Sequence, residues 1–314
     1  MKKTVLVIAL AFGVSGAFAQ DLTSKKGEPI LPEAEDWAIS FNADPVFEFV
    51  GNAFSGFTSK NSAPAVGFLN SNNTIIGKKF IDDKNAYRVL VRLGFTSQTF
   101  KNNVDDDATV TPPAFPASFP QKEDKFKMRR TTIGIGAGKE MRRGKTRLQG
   151  FYGADAMIWL SMSSDKYEYG NTMTAVAAPG VTPTPQSTTW NADGSIASEG
   201  ANGNRVLSSK NGMVFGIGVR GFIGAEYFIF PKIAIGAEYG WGIGFQAQGK
   251  GKNVNETTGG TPTTVGEVET ETTGSSKFGF DTDINQGTMF GFKGSNTGLT
   301  SSEGTASLRV TFHF

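Results

Sequence analysis

Between Met213 and Gln248 the chain alternates, residue by residue, for two long limbs. Met213, Phe215, Ile217, Val219, Gly221, Ile223, Ala225, Tyr227 and Ile229 form one series, while Gly212, Gly216, Gly218, Arg220, Gly224 and Glu226 lie between them. After Phe230, Pro231 and Lys232 the split resumes. Ile233, Ile235, Ala237, Tyr239, Trp241, Ile243 and Phe245 fall on one face, and Ala234, Gly236, Glu238, Gly240, Gly242, Gly244 and Gln246 on the other. A period of two sustained over roughly 16 residues per limb specifies β-strands, and the tight connection makes them a hairpin. The second face is glycine with a few charges and cannot build a core. The apolar face therefore points at something larger than the protein itself, namely lipid.

The N-terminus supports an envelope destination. Lys2 and Lys3 precede the apolar run Val5 to Val14, and Ala17-Phe18-Ala19 is a small-x-small cleavage site. Residues 1–19 read as a secretory signal, with the mature protein beginning at Gln20. The run is too short for a spanning helix, and no later stretch approaches the roughly 18 apolar residues such a helix needs. Cysteine is absent, which removes disulfides, thiolate metal sites and a lipid-modified cysteine. Forty glycines and 26 phenylalanines suit crowded strands. A net charge of +2 argues against general nucleic-acid binding. The mean hydropathy of -0.22 is compatible with strands that are apolar on one face only.

Taken in order, Gln20 to Asp36 is acidic and proline-bearing, and is expected to be an extended, solvated periplasmic segment. Trp37, Ile39 and Phe41 alternate as a first short strand. Asp44-Pro45 then opens a run with helical spacing to Phe54, read as a short amphipathic helix or else a ragged continuation of the strand. Thr74 to Ile81 and Ala86 to Lys101 are the second and third strands, Lys125 to Met141 the fourth, and the fifth runs from about Leu148 to Met162. Trp37, Tyr87, Tyr152, Trp159, Tyr227, Tyr239, Trp241 and Phe314 lie near strand ends or strand middles, and those near the ends suit interfacial girdles. The opening hairpin supplies strands six and seven, and Thr305 to Phe314 the eighth. Ser276 to Phe280 and Met289 to Phe292 would add a hairpin if they paired with each other.

Connection lengths support this count independently of strand propensity. They alternate long and short: a long one to Asn73, Asp82 to Asn85, Asn102 to Asp124, Arg142 to Lys145, Gly170 to Lys210, Phe230 to Lys232, and Gly249 to Glu303. A soluble ligand-carrying barrel has no reason to put every long loop at one end. Short turns on one side, long loops on the other and an even strand number describe a transmembrane up-and-down antiparallel β-barrel of eight strands with long extracellular loops, here spanning residues 37–314.

The final strand, with Leu308, Val310, Phe312 and Phe314 on one face, looks like the terminal assembly signal of bacterial outer-membrane barrels; Arg309 stands where that signal usually carries glycine. Together with the signal sequence and the loop alternation, the chain resembles the small eight-stranded outer-membrane β-barrel family, of the type of the OmpA transmembrane domain, OmpX and OmpW. The resemblance implies residence in the cell outer membrane of a Gram-negative bacterium. It also implies contact with outer-membrane lipid and lipopolysaccharide, and dependence on the barrel assembly machinery. No periplasmic peptidoglycan-binding domain is expected. Such barrels host unrelated activities.

The inward face would carry Arg88, Arg92, Arg130, Arg220 and Arg309 with Glu140, Asp155, Glu226 and Glu238. Side chains fill an eight-stranded barrel, so these charges must pair. They are expected to form a lumen charge network that plugs the interior, leaving the long loops to act as a structural, adhesive or complex-forming component toward a protein complex or a host ligand. The alternative is a narrow gated pore for ions or small solutes, with the charges setting selectivity. No enzyme is expected, because the only histidine, His313, lies at the periplasmic end without a catalytic partner. No cofactor is expected either. Asp281, Asp283, Asn285 and Gly287 only approximate a calcium loop, with Phe292 in place of its bidentate glutamate. The cluster Asp105 to Asp107 suggests divalent bridging to lipopolysaccharide phosphates, and Trp190 a loop aromatic for ligand stacking.

Overall fold

The computed structural model describes residues 22–24, 26–43, 74–108, 113–174, 185–259, 264–282 and 307–314. Among these every regular element is a β-strand. In chain order they are β1 (Trp37–Asn42), β2 (Ile75–Phe80), β3 (Asn85–Asp105), β4 (Gln121–Arg143), β5 (Leu148–Glu168), β6 (Gln186–Trp190) and β7 (Ile196–Ala201). The second half holds β8 (Asn204–Lys210), β9 (Val214–Phe230), β10 (Ile233–Gln248), β11 (Gly251–Gly259), β12 (Thr264–Thr272), β13 (Ser275–Thr282) and β14 (Ser307–His313).

Eight of these strands close a ring within one sheet: β1, β2, β3, β4, β5, β9, β10 and β14, with β14 returning to β1 and every pair antiparallel. They are the eight expected from alternation and loop length. The ring is sheared. From Phe312 the rungs run through Ile39, Gly77, Val89, Ala137, Ala156 and Val219 to Ile243, yet Phe312 also pairs directly with Ile233. One circuit therefore advances ten residues along β10, from Ile233 to Ile243. With about 3.3 Å of rise per residue and about 4.8 Å between strands, this offset inclines the strands by about 40° to the ring axis.

Alternation sorts the side chains into two faces. Outward lie Tyr87, Val89, Leu93, Phe95, Ile133, Ile135, Ile158, Ile217, Val219 and Ile243, all exposed, with Leu93 at 68%. Inward lie buried charges and phenylalanines. The ends also differ. Residues 81–84, 144–147 and 231–232 make the short turns, and both termini of the ring meet there, through reciprocal backbone bonds of 2.8 Å between Trp37 and Phe314.

The wall is uneven in height. β1, β2 and β14 have six or seven residues, whereas β3, β4 and β5 have 21, 23 and 21. β3 and β4 thus continue into what composition suggested was loop after Asn102 and before Asp124. The Gly170 to Lys210 region likewise contains β6, β7 and β8, and the Gly249 to Glu303 region contains β11, β12 and β13. β8 continues β9, because both pair with β5. β11 continues β10, and β12 with β13 forms the next line beside them. Ser276 to Phe280 pairs with β10; Met289 to Phe292, Pro45 to Phe54 and Asp283 to Gly287 lie outside the described residues. β11 and β12 lack an apolar alternation and are held by backbone pairing to their neighbours.

The described part of the N-terminal segment is largely exposed, as its composition suggests, but it is anchored where Ile30 and Pro32 are buried. Ile30 is fully buried against Phe228 and Ala234, with Leu31 beside it. Its backbone nitrogen donates to Leu22 O at 2.8 Å, its carbonyl accepts from Lys232 N at 3.3 Å, and Asp36 pairs with Lys232. An acidic stretch containing one isoleucine docks because that isoleucine fills the turn-side mouth of the ring.

Candidate functional site

The ring interior holds four cations and four anions in one connected lattice. Arg142 from the end of β4 reaches Glu226 of β9 at 2.6 Å and Glu140 at 3.5 Å. Lys78 of β2 sits between the same two carboxylates, 2.9 Å from each. Arg88 of β3 links this tier to the next, lying 3.3 Å from Glu140, 2.9 Å from Glu238 and 3.5 Å from Asp155. Arg220 closes the upper tier onto Glu238 at 2.7 Å and Asp155 at 3.4 Å. All eight side chains are buried, so each carboxylate is held by at least two cations, which offsets its desolvation. The hydroxyl of Thr311 donates to Glu226 at 3.2 Å.

Inward phenylalanines complete the packing. The Arg88 guanidinium lies 3.8 Å from the Phe222 ring centroid, Lys78 stands 5.0 Å over Phe151, and Arg142 is 5.4 Å from Phe80 and 5.7 Å from Phe228. Cations over aromatic faces recover part of the attraction that water gave them. The glycines opposite are there for space. A Cβ on Gly240 would fall 2.3 Å from Arg220 Nε, and one on Gly216 would fall 1.9 Å from the Trp159 ring.

Six of the nine charges expected in the interior belong to this lattice: Arg88, Glu140, Asp155, Arg220, Glu226 and Glu238. Arg92 and Arg309 are also buried on the inner face, Arg92 two inward positions beyond Arg88 and Arg309 opposite Gly236. Arg130 is separate. It pairs with Asp165 at 2.5 Å, far up the tall wall, because β4 carries it ten residues from Glu140.

Two members were missed. Lys78 stands in a Lys78-Lys79 doublet, and only the register of β2 decides that Lys78 points in while Lys79 pairs outside with Glu35 at 2.6 Å. Arg142 was read as turn, but its nitrogen donates to Lys84 O at 2.7 Å and keeps it in the ladder. The signal available was the phenylalanines at 80, 222 and 228, which interrupt the polar face at positions where cations need a ring.

Other expectations are corrected by position. Trp159 is buried on the inner face over Gly216 and belongs to no girdle. Trp190 packs against Phe100 and Phe126, with ring centroids 6.4 and 6.0 Å away, and Phe126 stacks on Tyr167 at 4.6 Å. The β6–β7 hairpin thereby covers the inner side of the tall wall. Asp124 accepts from Thr188 N at 2.7 Å and Asp107 accepts from Gln186 N at 2.8 Å. Asp106 pairs with Lys122 at 2.8 Å. Asp107 thus helps to hold the hairpin, and Asp106 is paired with β4.

His313 is buried between Phe80 and Phe228, with centroids 5.5 and 5.1 Å away, and among the described residues neither ring nitrogen has a hydrogen-bond partner. Leu308, Val310, Phe312 and Phe314 lie on the outward face of β14 and its end, whose strand is paired on both edges. Among the described residues no group of histidines and carboxylates is arranged to hold a metal ion. Comparison of the chain with protein-family models, with curated proteins and with solved structures finds no match.

Proposed function

We propose that the ring is an eight-stranded transmembrane β-barrel of the outer membrane, closed to solutes. It serves through its extended external wall as a structural, adhesive or complex-forming component. The inversion of the two faces carries this reading: apolar side chains are exposed outside the ring and charges are buried inside it. On β3 the exposed apolar stretch Tyr87–Phe95 covers nine residues, and on β5 Tyr152–Met162 covers eleven. About 9 to 11 tilted residues per strand cross a bilayer.

Closure is supported at three levels: Ile30 at the turn side, the charge lattice in the ring, and the β6–β7 hairpin beyond it. The tall wall suits a display role. β4 at about 3.3 Å per residue is roughly 75 Å long, which at a tilt of about 40° spans roughly 57 Å along the ring axis, well past an apolar band about 25 Å tall. Barrel assembly machinery and outer-membrane lipid are the partners this placement requires.

Single-channel recording of the purified protein in planar bilayers tests closure. No discrete conductance is expected at any salt or voltage. Reproducible steps that shift in size when Glu238 is replaced by glutamine would instead establish the narrow gated pore.

A further inference from the structure

The outer surface of the tall wall changes chemistry within one rung. The rung Phe95–Thr131–Met162 ends the apolar band. The next outward rung is Ser97–Arg129–Ser164–Lys210, and the one after it is Thr99–Lys127–Lys166–Ser208. Basic residues thus begin two positions, about 6.6 Å of strand, beyond the last apolar side chains. Several nearby lysines are already neutralised. Lys101 and Lys125 share Glu123 at 3.0 and 3.1 Å, Lys166 holds Glu168 at 2.8 Å, and Lys252 holds Glu269 at 2.5 Å. Among the described residues Lys127, Arg129 and Lys210 form no direct salt bridge; Glu168, held by Lys166, acts on Lys127 only at longer range.

We propose that Lys127, Arg129 and Lys210 form a binding site for the phosphate of a lipid headgroup on the outer wall of the protein. This rests on the membrane reading above. Three cations on one face fit such a group. Arg129 and Lys127 are about 6.6 Å apart along β4, and Lys210 stands two strands away, about 9.5 Å. A phosphate among them receives charge-assisted bonds, with the arginine fork supplying two parallel donors. At the turn-side rim Lys79 is neutralised by Glu35 and lies 5.1 Å over the Trp37 ring. The lipid source is favoured over free phosphate because the site adjoins the exposed Phe95 and Met162, against which acyl chains would lie.

The test titrates fluorescent phosphatidic acid against the full-length protein in non-ionic detergent, with phosphatidylcholine as the comparison lipid and inorganic phosphate as competitor. Phosphatidic acid is expected to bind at least tenfold more tightly than phosphatidylcholine. Replacing all three bases (Lys127→Gln, Arg129→Gln, Lys210→Gln) is expected to remove that preference, whereas Lys139→Gln at the opposite rim leaves it intact. All these positions are on the outward face, and heat-dependent gel migration checks that each variant is folded. Equal binding by the triple variant overturns the site, and complete displacement by inorganic phosphate overturns the lipid as its ligand. If alkaline washing strips the protein from vesicles into the aqueous phase, the membrane reading falls and the site with it. A membrane-retained protein without phosphate preference sinks the site alone.

Discussion

Val219 and Arg220 are neighbours on β9, and their surroundings are opposite. Val219 projects from the ring, exposed beside Ile243 and Ala156, while Arg220 is buried between Asp155 and Glu238. In a water-soluble protein the valine would be inside. The difference is the one the proposed membrane reading rests on: the outer face leaves apolar side chains exposed, and the inner face supplies its own counter-ions to buried charges.

The largest effect that would break this contrast is expected inside. Glu226→Ala leaves Lys78 and Arg142 with only Glu140 between them. Removing one partner of a buried ion pair typically costs about 3–5 kcal/mol. Urea unfolding in lipid vesicles, followed by tryptophan fluorescence, should show a loss of that size. A loss below about 1 kcal/mol, the scale of exposed pairs, would mean that the interior is wet and the lattice is not a seal.

Ile135→Arg tests the other face at the middle of the apolar band. In a bilayer it should cost about 2–4 kcal/mol, as for arginine at the midplane of a membrane barrel. If the wall faced water, an exposed isoleucine would tolerate the change within about 0.5 kcal/mol. The same urea experiment decides between them, and it measures the outer medium directly.

The smallest effect lies at the turn-side mouth, between the two environments. Partial burial opposes ionisation of Asp36, but its hydrogen bond from Lys232 and that from Glu33 N at 2.7 Å hold its carboxyl below the usual value of 3.8. A lowered folded pKa favours the folded state above the unfolded pKa, and that contribution is lost as pH falls through the folded value. Asp36→Asn should therefore destabilise by about 1 kcal/mol or less at neutral pH. The difference from wild type should vanish in acid. A difference that persisted there would assign the loss to packing of the segment around Ile30.

Much of the ring was legible in the chain. Alternation from Met213 to Gln248 and the long-short order of connections yielded eight strands and the inward direction of Arg88, Glu140, Asp155, Arg220, Glu226 and Glu238. Lys78 was not legible, because a Lys-Lys doublet has one member on each face whichever register is chosen. Arg142 was hidden by turn-like composition that the β3 ladder overrides. The packing of Trp159 was not legible, because only Gly216 on the adjacent strand shows where its ring lies. β11 and β12 escaped because strands rich in Thr, Asn and Glu that bury no apolar face carry no apolar period.

By itself the sequence determined the period of two, the turn positions and the opposed chemistry of the faces, since these depend only on adjacent residues. Which charge meets which was decided by closure. The sheared ring brings together Lys78 and Glu226, 148 residues apart, and Arg88 and Glu238, 150 apart. Such pairings depend on the stagger of every intervening strand, and no local pattern contains that sum.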